Sequence, residues 1–386
     1  MERKVYADNA ATTPVSEAAL KAMLPCLTQT WGNPSSLYSQ GREAAKIVSD
    51  ARERIAAHLA CKPNEVFFTA SGSEADNWAI KGAARANIKK GRHLITTKIE
   101  HHAVLHAFAS LEKEGWEVTY IGVDKAGIVS VSDIEAAVRP DTTLICVMYA
   151  NNEIGTVQPI SEIAALAKSK KITFFTDAVQ AAGNLSLNVT ELGADMLSIS
   201  GHKIHAPKGI GVLYIKNGVR LQNLIDGGGQ ERGRRGGTEN TAYIAAMAAA
   251  LDEAEKNRAQ LDHVRAMRDR LANGILSAIP RCIINGDMER RLPGNLNVAF
   301  ECIEGESMVL LLDMAGISAS TGSACSTNSL EPSHVLLAIG LPAERAHGSL
   351  RLSLSADNTE EDVDYILEKL PPVVARLREM SPLWDE

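Results

Sequence analysis

Five short apolar runs in the first half of the chain are each followed, within a few residues, by a side chain that can take part in chemistry. In chain order these side chains are Ser73, His101, Asn152, Asp177 and Lys203. Ligands of open α/β sheets bind beyond the carboxyl ends of the strands, at one edge of the sheet. If the runs are parallel strands, the five residues therefore form one site.

The lysine and the aspartate are the groups that pyridoxal phosphate requires at adjacent strand ends. A lysine amine binds the aldehyde of that cofactor as a Schiff base, and a carboxylate keeps its pyridine nitrogen protonated. His101 adds a group that can transfer protons. The turn at Gly72 and Ser73 opens a predicted helix, whose first N–H groups suit a phosphate. Any short strand-to-helix connection also needs small residues, so the turn alone does not distinguish a phosphate site from an ordinary connection.

The six cysteines lie at positions 26, 61, 146, 282, 302 and 325, and the closest two are 20 residues apart. This spacing contains no C-x-x-C pair for a zinc site or a dithiol redox site. Five of the six are predicted to be small buried hydrophobic residues. Cys325 lies in a segment, 320–329, without a large apolar side chain, which predicts an exposed loop. A cysteine there is either incidental or a reactive thiol.

The composition is that of a soluble globular protein. Of 386 residues, 45% are hydrophobic and 23% are charged, and this length predicts roughly two to three domains. The net charge of −7 gives no basic field for nucleic acid or for an anionic membrane. The first residues lack the apolar segment of a secretory signal, and no apolar stretch is long enough to span a membrane. We therefore expect a cytoplasmic protein without intrinsic metal that binds neither nucleic acid nor membrane directly.

One tract favours a nucleic-acid-binding module instead. Arg232, Arg234 and Arg235 lie between glycines. The tract has no interleaved aromatic residues and belongs to an acidic chain, so this alternative is the weaker one.

The apolar runs are continuous rather than alternating, which indicates strands buried on both faces of a largely parallel sheet. They are Val66–Thr69, His93–Thr97, Leu144–Met148, Ile172–Thr176, Met196–Ser200 and Ile210–Tyr214. Helical patterns lie between them, so we predict an open α/β fold. From Thr238 to Asn273 there is neither Gly nor Pro, which predicts a long helix leading to a smaller α+β domain. In that domain we expect strands at 295–301, 317–320 and 349–355, and a helix from Thr359 that Pro371-Pro372 interrupts.

Nine ordered sequence blocks resemble those of the cysteine desulfurases. They are Asp8-Asn-Ala-Ala-Thr-Thr-Pro14, Gly32-Asn-Pro-Ser-Ser36, Thr97-Lys-Ile-Glu-His101, Asn151-Asn-Glu-Ile-Gly155, Thr176-Asp-Ala-Val-Gln180, Ser200-Gly-His-Lys203, Gln230-Glu-Arg-Gly-Arg-Arg235, Gly322-Ser-Ala-Cys325 and Ser329-Leu-Glu-Pro-Ser333. The resemblance runs from about residue 5 to the end and is closest to the NifS/IscS branch of the class V aminotransferase family. It implies a fold-type I pyridoxal phosphate enzyme with two domains. The large domain, 15–258, would have a mainly parallel sheet sandwiched by helices, and the small domain would combine 1–14 and 259–386.

The resemblance also implies roles for individual residues. Lys203 would hold the cofactor, His101 would stack on its ring and act as an acid or a base, and Cys325 would take the sulfur. The remaining cofactor contacts would be Gly72, Ser73, Asn152, Asp177, Gln180, Ser200 and His202, with Thr238 reaching the phosphate in the neighbouring subunit of a homodimer. The substrate would be bound by Asn33, Asn152 and Arg351.

The implied activity removes sulfur from L-cysteine and leaves L-alanine and a persulfide on Cys325. The sulfur would pass to an iron–sulfur scaffold, general or dedicated to nitrogenase in nitrogen fixation, or to a relay for tRNA or cofactor thiolation. Cys325 would be an iron–sulfur ligand only during transfer. A selenocysteine lyase or a plain aminotransferase on the same scaffold is the nearest alternative, but a transaminase has no use for a loop cysteine. The sequence departs from the family pattern at Ala7, where leucine is usual, and at Tyr38, where histidine is usual.

Overall fold

The computed structural model describes residues 3–322 and 331–384. The strands in these ranges are β1 (Val5–Tyr6), β2 (Val66–Thr69), β3 (His93–Thr97), β4 (Glu117–Ile121), β5 (Thr142–Cys146), β6 (Thr173–Asp177), β7 (Met196–Ser200), β8 (Gly211–Ile215), β9 (Cys282–Ile284), β10 (Asn295–Phe300), β11 (Ile317–Ser318) and β12 (Ser349–Ser353). The helices are α1 (Glu17–Thr28), α2 (Ser39–Leu59), α3 (Gly72–Ala86), α4 (His102–Lys113), α5 (Val131–Ala137), α6 (Ile160–Ser169), α7 (Val189–Leu192), α8 (Gln230–Gly233), α9 (Thr241–Asn257), α10 (Leu261–Ala278), α11 (Gly305–Met314), α12 (His334–Ala338), α13 (Ala343–His347) and α14 (Glu360–Glu379).

Strands β2 to β8, within residues 66–215, form a seven-stranded sheet. Its order is β2-β8-β7-β6-β5-β3-β4. Strand β8 runs antiparallel to both of its neighbours, and the other neighbouring pairs are parallel. Strands β2, β7, β6, β5 and β3 consequently end at the same edge. The prediction of a mainly parallel α/β sheet is confirmed.

Consecutive residues of the central strands pack into different hydrophobic clusters. Phe68, Ile95 and Phe174 belong to one cluster, whereas their chain neighbours Phe67, Leu94 and Phe175 belong to another. Successive side chains of a strand point to opposite faces, so helices cover the sheet on both sides. This arrangement explains why these strands have continuous rather than alternating apolar sequences.

A second core lies outside this sheet. It contains Val5 and Ala7 from the N-terminus together with apolar residues between Val264 and Val374. These residues surround the antiparallel sheet β12-β10-β9 and the parallel pair of β1 and β11. On this distribution we keep 15–258, and 1–14 with 259–386, as the proposed domain division.

Two predictions about the helices need correction. The long pattern after Thr238 forms two helices, α9 and α10, joined by a 3-10 turn at Arg258–Gln260, rather than one. Helix α14 continues through Pro371-Pro372, although the prolines were expected to interrupt it. Ile366, Leu370 and Val374 are buried on both sides of the prolines, and this packing offsets the lost backbone hydrogen bonds.

Strand bounds differ by one or two residues from the predictions at β5, β6, β8, β10, β11 and β12, and strands β1, β4 and β9 were not predicted. Strand β4 is one of the two edge strands of the sheet, and its middle residues are only half-buried. Among helices in the described ranges, none combines the length and apolarity needed to cross a membrane.

Candidate active site

A cavity of about 180 Å³ lies beyond the shared strand edge. Ten residues predicted to form the cofactor or substrate site line it: Gly72, Ser73, His101, Asn152, Asp177, Gln180, Ser200, His202, Lys203 and Arg351. All but Arg351 follow or end strands of the large sheet, and Arg351 comes from β12 of the second core. The cavity therefore combines groups from both parts of the chain.

Two predicted site residues in the described ranges, Asn33 and Thr238, are not among those that line it. Asn33 is exposed, and its Oδ1 accepts a hydrogen bond from the Ser35 backbone at 3.0 Å. Thr238 is exposed in the segment before α9. Cys325 lies outside the described residues. Tyr38, one of the departures from the family pattern, is exposed at the start of α2 and does not line the cavity.

The start of α3 offers a backbone surface to the cavity. Ser71 caps this helix by accepting a hydrogen bond from the Glu74 backbone at 3.1 Å. A Cβ on Gly72 would lie 2.8 Å from Val179 Cγ2 and 3.2 Å from Ser200 Cβ, so only glycine fits between them. The first N–H groups of a helix have no partner within the helix and attract an anion. The Ser73 and Ser200 side chains stand beside that position, which suits a phosphate.

Asp177 ends β6 and is almost completely buried. Its Oδ1 accepts a hydrogen bond from the Val179 backbone at 2.9 Å. Burial raises the pKa of this carboxyl to about 6, while the Val179 N–H and the nearby Lys203 act in the opposite direction. The ionised form of this buried carboxyl would be stabilised by a further cationic donor, such as a protonated pyridine nitrogen.

Two other buried carboxyl groups stand close to Asp177, and sequence reasoning missed both. Asp76 lines the cavity and accepts a hydrogen bond from Ser198 Oγ at 2.6 Å. It lies one helical turn after Ser73 on α3, a spacing that could have revealed it. Burial and the charge of Asp177 raise the pKa of Asp76 well above its usual value.

Glu100 is the third buried carboxyl group. Its Oε1 accepts hydrogen bonds from Thr97 Oγ1 at 2.7 Å and from the Met148 backbone at 3.0 Å. Its Oε2 is buried without a hydrogen-bond partner in the described ranges. Burial raises the pKa of Glu100 to about 8, so this group is protonated and neutral near pH 7.

Lys203 reaches the N-terminal segment. Its Nζ donates to the carbonyl oxygens of Ala10 and Ala11 at 2.6 and 2.7 Å. The lysine, the aspartate and the start of α3 thus face one cavity.

The two histidines of the cavity are neutral at physiological pH. His101 caps α4, and its Nδ1 accepts a hydrogen bond from the Ala103 backbone at 3.1 Å, which leaves the ring proton on Nε2. Burial first, and the positive charge of Lys203 second, lower the pKa of His101 to about 4. The same two causes lower the pKa of His202 to about 4.

Arg351 is 1% exposed and is held by groups distant in sequence. Its Nη1 donates to the Asn152 carbonyl at 3.0 Å and its Nη2 to Asp8 Oδ1 at 2.8 Å. Its backbone pairs with Ser320, which comes five residues before Cys325. The strand that carries Arg351 is thereby joined to the start of the segment that contains the predicted sulfur carrier.

The cysteines of the described ranges have no disulfide bond. Cys26 and Cys146 are buried as predicted, but Cys61, Cys282 and Cys302 are only partly buried, so the prediction of full burial is wrong for these three. In these ranges no cluster of His, Cys, Asp or Glu side chains is arranged to hold a metal ion.

The arginines of the Gly-rich tract contact the large sheet and helix α3. The Arg232 and Arg234 guanidinium carbons lie 4.3 and 5.3 Å from the centre of the Phe67 ring. Arg235 forms two hydrogen bonds with Glu74 of α3, at 2.9 and 3.1 Å. These contacts give the three side chains a structural use within the chain.

Known proteins resemble this chain over its whole length. The family described as aminotransferase class-V matches residues 5–366. A protein of Clostridium botulinum named cysteine desulfurase IscS is 56% identical over 389 residues, covering 100% of this chain and 98% of that protein. A solved structure called NifS-like protein superposes with a TM-score of 0.92 at 38% identity, covering 97% of this chain and all of its own. Another, described as SspA in complex with cysteine, gives a TM-score of 0.81 at 37% identity, covering 92% of this chain and 100% of its own.

Proposed function

This chain belongs to the aminotransferase class-V family and is a pyridoxal-phosphate-dependent cysteine desulfurase, and we propose that the cavity at the strand edge is its active site. Lys203, His101 and Cys325 are its proposed catalytic residues. The observation that carries the proposal is the convergence of Lys203, Asp177 and the start of α3 on one cavity.

The residues of the cavity fit the cofactor. Gly72, Ser73, Ser200 and His202 would hold the phosphate, and Thr238 would reach it from a neighbouring subunit. Asp177 would pair with the pyridine nitrogen, Gln180 and Asn152 would contact the ring substituents, and Lys203 would bind the aldehyde. When bound, pyridoxal phosphate withdraws electrons from the substrate, which makes its Cα–H bond acidic and its sulfur open to attack.

We assign proton transfer to His101. Its ring is neutral, carries its proton on Nε2 and borders the cavity that also contains the Lys203 amine. A neutral imidazole can donate that proton and take one back within a single turnover.

Asn152, Asn33 and Arg351 are the proposed contacts of L-cysteine. The buried guanidinium of Arg351 retains N–H donors beyond those used by Asn152 and Asp8, and such donors bind a carboxylate in a bidentate manner. The cysteine carboxylate would bind there.

Cys325 is the proposed acceptor of the sulfur. Its thiolate would form an S–S bond with the substrate sulfur as the C–S bond breaks, and the substrate carbon would gain a proton and end as the methyl group of alanine. Support comes from the backbone pairing of Ser320 with Arg351, because Ser320 precedes Cys325 by five residues. The proposed next acceptor, an iron–sulfur scaffold protein, rests on the resemblance to the NifS/IscS branch.

We propose that the working unit is a homodimer. Leu20, Leu24 and Leu27 of α1 form an exposed stripe at helical spacing, and Trp31 and Leu37, which follow α1 in the chain, have 70% and 90% of their surface exposed. A second copy of this chain would cover this apolar surface and supply the Thr238 contact.

The proposed site is tested with purified holoenzyme given L-cysteine and a reductant. Wild type should bind pyridoxal phosphate with a visible absorbance band and form alanine and sulfide in equal amounts. Lys203→Ala should lose the band and the alanine, whereas Lys208→Ala, at an exposed lysine nearby, should behave as wild type. Alanine formation by Lys203→Ala at the wild-type rate would exclude the assignment.

A further inference from the structure

We propose that Asp8 is a positioning residue for substrate recognition, because its carboxylate fixes Arg351 in the orientation that receives the substrate carboxylate. This inference rests on the proposed function and assigns a role to a residue for which the proposed mechanism has so far had none.

The charge of Arg351 requires a partner at its place in the fold. The side chain is 2% exposed, and a charge so buried is stable only when it is paired and hydrogen-bonded. Asp8 provides a carboxylate oxygen 2.8 Å from Nη2, and Asp8 itself is only 16% exposed. The two residues are 343 positions apart in the chain.

The contacts of Arg351 leave donors for a ligand. A guanidinium has five N–H groups; one on Nη1 is used by the Asn152 carbonyl and one on Nη2 by Asp8. The Nε–H is buried without a hydrogen-bond partner in the described ranges. The second N–H groups of Nη1 and Nη2 remain for a carboxylate in the cavity, which Arg351 lines.

Asp8 contacts Arg351 from outside the cavity. Arg351 lines the cavity together with Lys203 and His101, whereas Asp8 does not line it. Asp8 therefore leaves room for the substrate and acts through the arginine.

The backbone around Asp8 is itself fixed. Its carbonyl accepts hydrogen bonds from Tyr6 Oη at 3.1 Å and from the Ala11 N–H at 2.9 Å, and Asp8 bridges to Ser353 at the end of β12. The next residues of the same turn, Ala10 and Ala11, accept hydrogen bonds from Lys203. One N-terminal turn thus holds both the arginine for the substrate and the lysine for the cofactor.

The test compares Asp8→Asn with wild type, both as holoenzymes. Asparagine keeps the shape and an acceptor oxygen but removes the charge, so a charged hydrogen bond becomes a neutral one. We expect KM for L-cysteine to rise about tenfold with kcat within about threefold. Binding of cysteamine, which lacks the carboxylate, should change by less than about twofold when followed by cofactor absorbance. Asp50→Asn, at an exposed carboxylate paired with Lys46, should alter neither value.

Other outcomes contradict the proposal. An unchanged KM for L-cysteine would show that Arg351 does not need Asp8, and an equal loss of cysteine and cysteamine binding would show general damage. If Asp8→Asn does not fold, Asp8→Glu replaces it: a KM change confined to L-cysteine supports the proposal, and an equal or absent change contradicts it. Failure of wild type to form alanine would instead overturn the proposed function, so the two failures are distinguishable.

Discussion

Three carboxyl groups are buried in or beside the cavity. Asp76, Glu100 and Asp177 all have a raised pKa, with burial as the largest cause in each case. Adding three full negative charges there would strongly disfavour the fold. We infer that Asp177 carries the charge the cofactor needs, while burial disfavours ionisation of its two neighbours.

The pH dependence of stability should reveal the neutral Glu100. In the unfolded chain this group releases its proton near its ordinary pKa of 4.5, but in the folded chain it keeps the proton up to about 8. The folded state binds more protons between these values, so Glu100 lowers stability as the pH rises through them, by up to about 1.4 kcal/mol per unit. His101 and His202, whose pKa values are about 4, act oppositely between about 4 and their usual 6.5.

The free energy of unfolding of wild type should fall between pH 6.5 and 8, in part because only the folded chain keeps the Glu100 proton. In Glu100→Gln we expect a smaller fall over the same pH range. Glutamine offers an oxygen to Thr97 and Met148 but has no proton to release. Denaturant unfolding of both holoenzymes at fixed cofactor concentration measures the difference. Parallel curves for the two proteins would mean that Glu100 is ionised in the folded state.

Lys203, Asp177 and His101 were predicted from sequence alone, because ligands bind beyond the carboxyl ends of parallel strands and these ends share one edge. The pairing of Asp8 with Arg351 could not be predicted in that way. It depends on how the N-terminal turn packs against β12, and no periodicity relates residues 343 positions apart. Asp76 is an intermediate case: it was missed, but its helical spacing from Ser73 could have revealed it.

At the scale of elements, the Gly-rich segment 227–237 is fixed to the large sheet by one buried ion pair. Arg52 of α2 donates two hydrogen bonds to Glu231, at 2.7 and 2.8 Å, and the Phe68 N–H donates a third at 3.0 Å. Glu231 adopts a left-handed backbone conformation, with φ 47°, which these contacts stabilise against its intrinsic cost. The segment leads to Arg235, which holds Glu74 on the proposed phosphate-binding helix.

Removing that carboxylate should be costly. Glu231→Ala leaves Arg52 buried without its partner, and we expect a loss of about 3–5 kcal/mol in the free energy of unfolding. Glu114→Gln, which breaks the exposed pair with Arg85, should cost no more than about 1 kcal/mol. Denaturant unfolding measures both, and similar small losses would mean that the Arg52–Glu231 pair does not stabilise this segment.

Local sequence signals gave the type of most elements but failed where packing opposed them. Two adjacent prolines favour a helix end, yet α14 passes through 371–372 because residues on both sides of them contribute to the second core. Strand β4 was missed because a half-buried edge strand lacks the continuous apolar pattern of its neighbours.

At the scale of the whole molecule, the exposed stripe on α1 is the proposed dimer interface. Leu24→Asp would place a charge in the proposed interface, so we expect a shift from dimer to monomer and a loss of alanine formation, since each site would lack its neighbour's Thr238. Leu310→Asp, at an exposed position of α11, is the matched control and should remain dimeric and active. Sedimentation of the holoenzymes decides: a monomeric wild type, or a fully dimeric Leu24→Asp, would contradict this interface.

The proposed route of the sulfur depends most on Cys325 as its acceptor. The direct measurement is a single turnover of holoenzyme with L-cysteine and no reductant, followed by mass analysis of the protein and assay of alanine. Wild type and Cys61→Ser, at a half-buried cysteine, should each gain one sulfur atom on Cys325 and form one alanine per site. Cys325→Ser should gain no sulfur and form alanine at least about 100-fold more slowly. Sulfur on another cysteine, or an unchanged rate in Cys325→Ser, would contradict the central claim.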